Sequence, residues 1–100
     1  IVSMLREAGA AEVHVRIASP PIKMPCFYGV DISTYDELIS ARKSVEEVRA
    51  SLGADSLAFL SEQALFAAGR RKELCIACFN GHYPTPLYKS VEEANKDGKF

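Results

Sequence analysis

The first 21 residues contain a helical repeat, a glycine turn and an alternating strand, in that order. Four apolar residues recur at the spacing of one helix face: Ile1, Met4, Leu5 and Ala8. Gly9 is the residue expected to end that helix. From Val13 to Ala18 branched residues alternate with polar or small ones, which predicts a strand that Pro20 and Pro21 end. A helix, a short turn and a strand form half of a βαβ unit, so the sequence predicts an α/β fold with a parallel sheet.

Capping residues predict the later helices. Four hydroxyl residues have the position of a helix N-cap: Thr34, Ser44, Ser61 and Ser90. Three of them precede a glutamate by three residues, which is the spacing of a capping box: Glu37, Glu47 and Glu93 follow Thr34, Ser44 and Ser90. We expect a helix over residues 45–52 that Gly53 ends, a helix from Ser61 to Gly69, and a short strand over residues 56–60.

Composition and charge exclude several classes of protein. The chain has 100 residues, of which 48% are hydrophobic and 25% charged, with a net charge of −1. Nucleic-acid binding requires a basic face, so no nucleic-acid partner is expected. No apolar run approaches the ~18 residues of a membrane span. Without a signal-peptide pattern, we expect a cytoplasmic protein. Ile1 already lies within a helical pattern that lacks an N-cap, so we expect the chain to be part of a longer protein.

The three cysteines are the residues with the clearest capacity for metal chemistry. Cys75 and Cys78 form a C-x-x-C pair, whose two thiolates can reach one metal centre, and Cys26 follows Pro25 in a predicted loop. An odd number of cysteines argues against a disulfide framework. Soft thiolate ligands suit zinc or an iron–sulfur cluster. A thioredoxin-like pair is disfavoured, because the motif follows a charged loop and not a strand.

Three interpretations of the cysteines remain open from the residues alone. Ligands gathered from separate loops are typical of an iron–sulfur cluster. A closed Cys3His zinc module would use Cys26, Cys75 and Cys78 with His82, which follows Cys78 by four residues. The third interpretation is a structural domain with inert thiols. His14 lies within a strand and is expected to be an ordinary sheet residue. The serines lack recognisable His and Asp partners, so no catalytic residue is assigned.

Eight short blocks, spread over nearly the whole chain, carry a family resemblance: Met4–Ala10, Glu12–Arg16, Ser19–Ile22, Pro25–Asp31, Glu37–Ile39, Ser44–Glu47, Gly53–Leu57 and Cys78–Pro84. In this order they resemble the region near the C-terminus of the glutamine phosphoribosylpyrophosphate amidotransferases (amidophosphoribosyltransferases). The resemblance implies the C-terminal part of a type I phosphoribosyltransferase domain, with a parallel sheet flanked by helices and a loop-rich, cysteine-containing tail.

The resemblance also implies a function. The parent would form 5-phosphoribosylamine from phosphoribosylpyrophosphate and glutamine, the first step of de novo purine (IMP) synthesis, as a Mg²⁺-dependent homo-oligomer. In the iron–sulfur branch of the family, Cys26, Cys75 and Cys78 match three of the four ligands of a structural [4Fe–4S] cluster, in segments near residues 20–31 and 73–85. The fourth ligand, the glutaminase domain and the phosphoribosylpyrophosphate loop are expected outside residues 1–100. The chain alone is therefore expected to be inactive.

Overall fold

A computed structural model describes residues 1–31, 34–86 and Glu93. The elements in chain order are α1 (Val2–Glu7), β1 (His14–Ile17), α2 (Ile39–Arg42), α3 (Val45–Leu52), β2 (Ser56–Phe59), α4 (Glu62–Gly69) and α5 (Ala77–Asn80), with a 3₁₀ turn (Tyr35–Glu37) before α2. β1 and β2 are parallel neighbours, and their register pairs His14 with Ser56 and Ile17 with Phe59. This pairing confirms the predicted α/β fold with a parallel sheet. Each strand is shorter than predicted, since Val13, Ala18 and Leu60 lie outside the ladder.

The hydrophobic core of the α/β unit is small. Within the described residues, Val13, Val48 and Ala54 are at least nine-tenths buried where α3 packs on β2. The apolar face of α1 has no such cover, because Ile1 is 92% and Met4 69% exposed. The described part of the chain therefore leaves a considerable apolar surface open.

Two of the predicted N-caps are confirmed. The Ser44 hydroxyl accepts the N–H of Glu47 at 3.2 Å at the start of α3, and the Ser61 hydroxyl accepts the N–H of Ala64 at 3.1 Å at the start of α4. Gly53 ends α3 in the left-handed conformation, with φ of +71°. Glycine adopts that conformation without a steric penalty, so this helix boundary is encoded locally.

The predicted capping box at Thr34 is wrong. Its side chain makes no capping hydrogen bond. The residues after it form a single 3₁₀ turn, and the extended Leu38 separates that turn from α2. A capping hydroxyl needs the free N–H groups of an α-helical first turn, and a 3₁₀ turn followed by extended backbone does not present them.

The predicted end of the helix at Gly69 needs a different explanation. Gly69 is the last helical residue, and Arg70 takes the left-handed conformation, with φ of +51°. A Cβ at position 69 would lie 3.3 Å from the Leu74 side chain. A larger residue at position 69 would require the Leu74 side chain to move by a few tenths of an ångström, whereas the backbone conformation there does not require glycine. The capped turn predicted at Ser90 lies outside the described residues.

Arg6 connects α1 to the start of β2. Its guanidinium donates to the Gly53 carbonyl at 2.8 Å and to the Asp55 carboxylate at 2.7 Å. The same carboxylate oxygen accepts the Val13 N–H at 2.8 Å. The Val13 N–H, followed by Arg6, lowers the pKa of Asp55 below its ordinary value. Both hydrogen bonds favour the charged carboxylate, which therefore links the helix to both strands.

Candidate metal centre

The cysteines lie on two segments that are distant in sequence and adjacent in space. We call residues 20–31 the first cysteine loop and residues 74–86 the second cysteine loop. Cys26 lies on the first, directly after the buried Pro25. Cys75 and Cys78 lie on the second. Cys78 belongs to the short helix α5 and not to an irregular loop as predicted, because residues 77–80 close a helical turn that Gly81 ends with φ of +78°.

Main-chain hydrogen bonds join the two cysteine loops. The carbonyl of Cys78 accepts the N–H of Lys23 at 2.9 Å and that of Met24 at 3.0 Å. Met24 also covers Gly81, since a Cβ at position 81 would lie 3.3 Å from the end of its side chain. One ligand candidate of the second loop is therefore held through its own backbone by the residues that precede Cys26.

Aromatic side chains make a second connection between the loops. The Tyr83 hydroxyl donates to the carbonyl of Pro25 at 2.6 Å. The ring centroids of Phe27 and Tyr28 lie 5.1 and 6.2 Å from that of Tyr83. The Tyr28 hydroxyl is 2.8 Å from the Thr85 hydroxyl. Together these contacts fix the backbone on both sides of Cys26.

The three thiols differ in their surroundings. Cys75 is exposed, whereas Cys26 and Cys78 are half-buried, and none of the three forms a disulfide. The N–H of Tyr28 lies 3.5 Å from the Cys26 sulfur, and backbone N–H groups of Tyr28 and Val30 lower the pKa of that thiol. Burial raises the pKa of Cys78, and the negative charges of Cys26 and Cys75 raise it further. Cys78 is thus within electrostatic range of both other thiols.

No single-ion zinc site is assembled among the residues that the structure describes. The His82 side chain is exposed, and the backbone N–H of His82 donates to the Asn80 side-chain oxygen at 2.8 Å. Within residues 1–31 and 34–86, no group of three or more His, Cys, Asp or Glu side chains is close enough to ligate one metal ion.

A polar cluster that the sequence did not reveal lies across the two strands. His14 contacts the Ser56 hydroxyl at 2.7 Å through Nδ1 and the Glu12 carboxylate at 3.0 Å through Nε2. Arg16 donates to the same hydroxyl at 2.8 Å. No His and Asp partners for the serines were recognisable in the sequence, and here Ser56 contacts His14, while the acid that His14 contacts is a glutamate. Only the sheet register brings the two strands together at these positions, so composition and spacing along the chain carry no signal for the cluster.

An open apolar groove of about 370 Å³ lies on the other face of the strands from His14. Its walls come from β1, β2, α2, α3, the 3₁₀ turn with Leu38, and the start of the first cysteine loop at Pro20 and Ile22. Glu37 is the one titratable side chain among its lining residues. Hydrocarbon walls offer shape and burial without the polar groups that acid–base chemistry requires.

None of the described helices has the length and hydrophobicity that crossing a membrane requires.

Comparison with known proteins gives consistent relatives. No protein-family model matches the chain. It is 56% identical over 97 residues to the amidophosphoribosyltransferase of Bacillus subtilis, covering 91% of this chain and 20% of that protein. It is 60% identical over 84 residues to the amidophosphoribosyltransferase of Pyrococcus horikoshii, covering 84% of this chain and 19% of that protein. It is 57% identical over 100 residues to amidophosphoribosyltransferase 1, chloroplastic, of Arabidopsis thaliana, covering 97% of this chain and 18% of that protein.

Solved structures agree with these relatives. The glutamine phosphoribosylpyrophosphate amidotransferase of B. subtilis, complexed with ADP and GMP, matches with a TM-score of 0.81 at 56% identity, covering 89% of this chain and 21% of that one. The chain therefore spans about one fifth of the length of the relatives that it matches. Its two parallel strands and helices correspond to part of that enzyme's structure, and the chain is homologous to a segment of the amidophosphoribosyltransferases.

Proposed function

We propose that this chain is the C-terminal segment of an enzyme that forms 5-phosphoribosylamine from phosphoribosylpyrophosphate and glutamine, the first step of purine synthesis. Homology across 91% of the chain at 56% identity supports this proposal. The relatives are about five times as long, so we place catalysis, Mg²⁺ and both substrates in the rest of the protein. The segment alone is expected to form no phosphoribosylamine, and a cytoplasmic, homo-oligomeric parent stays a prediction.

We propose further that Cys26, Cys75 and Cys78 supply three thiolate ligands of a [4Fe–4S] cluster, with the fourth outside the chain. The observation that carries this proposal is that three unpaired thiols lie on two loops whose backbones are bonded to each other. Cys78 is disfavoured as a thiolate by burial and by two neighbouring negative charges. Iron cations would offset both effects, because a coordinating thiol is deprotonated by the metal charge.

The donor set also fits a cluster better than a single ion. All three donors are soft sulfurs, the ligands typical of iron–sulfur clusters. The irons and sulfides of a cluster separate its protein ligands more widely than one zinc ion does. The described residues bring no three such side chains close enough for one ion, whereas Cys78 is within electrostatic range of both other thiols. When bound, the cluster would supply a covalent cross-link between the cysteine loops and the rest of the protein, and no step of the reaction is routed through it.

Metal analysis of the full-length protein, purified without oxygen, tests the cluster proposal. We expect a brown protein that contains iron and sulfide, and each of Cys26→Ser, Cys75→Ser and Cys78→Ser should lose nearly all of that iron. His82→Asn is the matched control, because this side chain is close to the cysteines in sequence and is not a proposed ligand. A colourless protein with zinc that His82→Asn abolishes would establish the zinc module instead. Protein without any metal would indicate inert thiols.

Assays of the same preparation test the enzymatic proposal. Phosphoribosylamine formation from phosphoribosylpyrophosphate should occur with glutamine in the full-length protein and should be absent in residues 1–100 alone. Activity of the isolated segment with ammonia would contradict the placement of catalysis outside this chain.

A further inference from the structure

The contacts that join the two cysteine loops involve no thiol. Both N–H groups that bind the Cys78 carbonyl belong to the main chain, at Lys23 and Met24. The Tyr83 hydroxyl binds the Pro25 carbonyl, again a main-chain group. The two loops are therefore connected whether or not a metal centre occupies the thiols.

The Tyr83–Pro25 hydrogen bond is made to the residue that immediately precedes Cys26. Pro25 immediately precedes Cys26, is almost completely buried and has a restricted φ, so fixing its carbonyl also orients the peptide that leads to Cys26. At 2.6 Å it is a short, part-buried hydrogen bond. The bonds from Lys23 and Met24 hold the other partner, Cys78, through its own carbonyl.

We propose that Tyr83 is a positioning residue for the metal centre, and that its hydrogen bond to Pro25 holds Cys26 towards Cys78 before any metal binds. This inference rests on the proposed cluster site. Ordering flexible loops costs conformational entropy, and a site that is ordered in advance does not incur that cost when the metal binds. Tyr83 therefore makes cluster assembly faster without being a ligand.

Tyr28 provides a matched comparison within the same aromatic cluster. Its hydroxyl also makes a hydrogen bond between the loops, to Thr85, but the ring is 41% exposed and Thr85 is exposed as well. A solvent-exposed hydrogen bond can be replaced by a hydrogen bond to water, so its loss costs little free energy. Tyr28→Phe and Tyr83→Phe remove the same atom from the same kind of side chain, and only Tyr83 contacts the residue before Cys26.

The test uses the full-length protein as wild type, Tyr83→Phe and Tyr28→Phe, each first stripped of metal. Cross-linking of Cys26 to Cys78 by dibromobimane, mapped by mass spectrometry, reports how the thiols are held. Uptake of iron, supplied without oxygen as a ferric salt with sulfide and excess dithiothreitol as reductant, reports cluster assembly through visible absorption. Loss of one part-buried hydrogen bond should slow both rates about fivefold in Tyr83→Phe. Tyr28→Phe should stay within about twofold of wild type.

Two results would overturn the role of Tyr83: wild-type rates in Tyr83→Phe, or equal slowing in both variants, which would reflect general loosening of the aromatic cluster. Labelling of the exposed Cys75 alone should be the same in all three proteins, because no loop contact covers it. Wild-type protein that cross-links faster than Tyr83→Phe and takes up no iron would overturn the cluster and leave the loop-holding role of Tyr83 supported.

Discussion

The α/β unit and the cysteine loops are stabilised in different ways. In the α/β unit, β1 and β2 form a parallel ladder, α3 packs on β2, and Ser44 and Gly53 cap the helix between them. The cysteine loops have no strand, and α5 is a single helical turn. They are joined by three hydrogen bonds to main-chain carbonyls and by a group of aromatic rings.

This difference indicates which region a metal centre would affect. The α/β unit contains its own backbone ladder and core, so its stability should not change when the cysteines are substituted. In the cysteine loops the contacts are few, and residues 26 and 78 are far apart in the chain, so the bonds between the loops recover only part of the entropy that closing them costs. Metal ligation would add most of its stabilisation there.

The largest predicted effect comes from removing a ligand. In the full-length protein, Cys78→Ser should raise the hydrogen-exchange rate of the Lys23 and Met24 amides by more than about a hundredfold, because ligation and loop order are coupled. The amides of Val48 and Leu60 in the α/β unit should exchange at the wild-type rate. Equal acceleration in both regions would show that the two are one cooperative unit, and His82→Asn serves as the control.

The second effect is confined to the α/β unit. Val48 is 5% exposed between α3 and β2, so Val48→Ala should lower the opening free energy of the β1 and β2 amides by about 2 kcal/mol, from lost burial and the remaining cavity. Val45 lies on the same helix and is 42% exposed. Val45→Ala should therefore change the opening free energy of the β1 and β2 amides by less than about 0.5 kcal/mol. Loss of protection at Lys23 and Met24 in Val48→Ala would contradict the independence of the cysteine loops.

A smaller effect tests the local signal that begins α3. Ser44→Ala removes the hydroxyl that accepts the Glu47 N–H and should destabilise α3 by about 1 kcal/mol. The comparison is Ser51→Ala, an exposed position in the last turn of the same helix, where alanine is the better helix former. Amide exchange along α3 measures both variants, and an equal loss in the two would remove the capping explanation.

The smallest effect is the pH dependence contributed by Asp55. Its pKa is lowered in the folded state by the Val13 N–H and by Arg6. Its contribution is therefore complete above the ordinary aspartate pKa of about 3.9 and declines as the pH falls through the lower folded-state value. Asp55→Asn should reduce the acid dependence of β1 and β2 opening. Asp36→Asn, whose carboxylate has no hydrogen-bond partner among the described residues, should not change it.

Much of the α/β unit followed from the sequence because its signals are local. Alternation within residues 13–18, the serines before α3 and α4, and Gly53 after α3 each act on neighbouring backbone, and the structure confirms them. Thr34 shows the limit of this reasoning, since its capping spacing is correct and the helix it should begin is only a 3₁₀ turn. The spacing between two residues indicates which capping hydrogen bond they can form. The tertiary fold determines whether the backbone N–H that would complete that bond is available.

In the cysteine region, too, some features could be predicted from the sequence and others depended on the tertiary structure. The sequence alone identified the three thiols, since cysteine chemistry and C-x-x-C spacing are visible without a fold. Tertiary structure decided how they are held, through the contact of Tyr83 with Pro25 across 58 residues. In the α/β unit it likewise decided the contact of Arg6 with Asp55 across 49 residues. It also decided which residues meet across the strands, as His14 and Ser56 do. Such contacts join residues with no short-range relation in the chain, and they form only when the sheet and the loops bring them within hydrogen-bond distance.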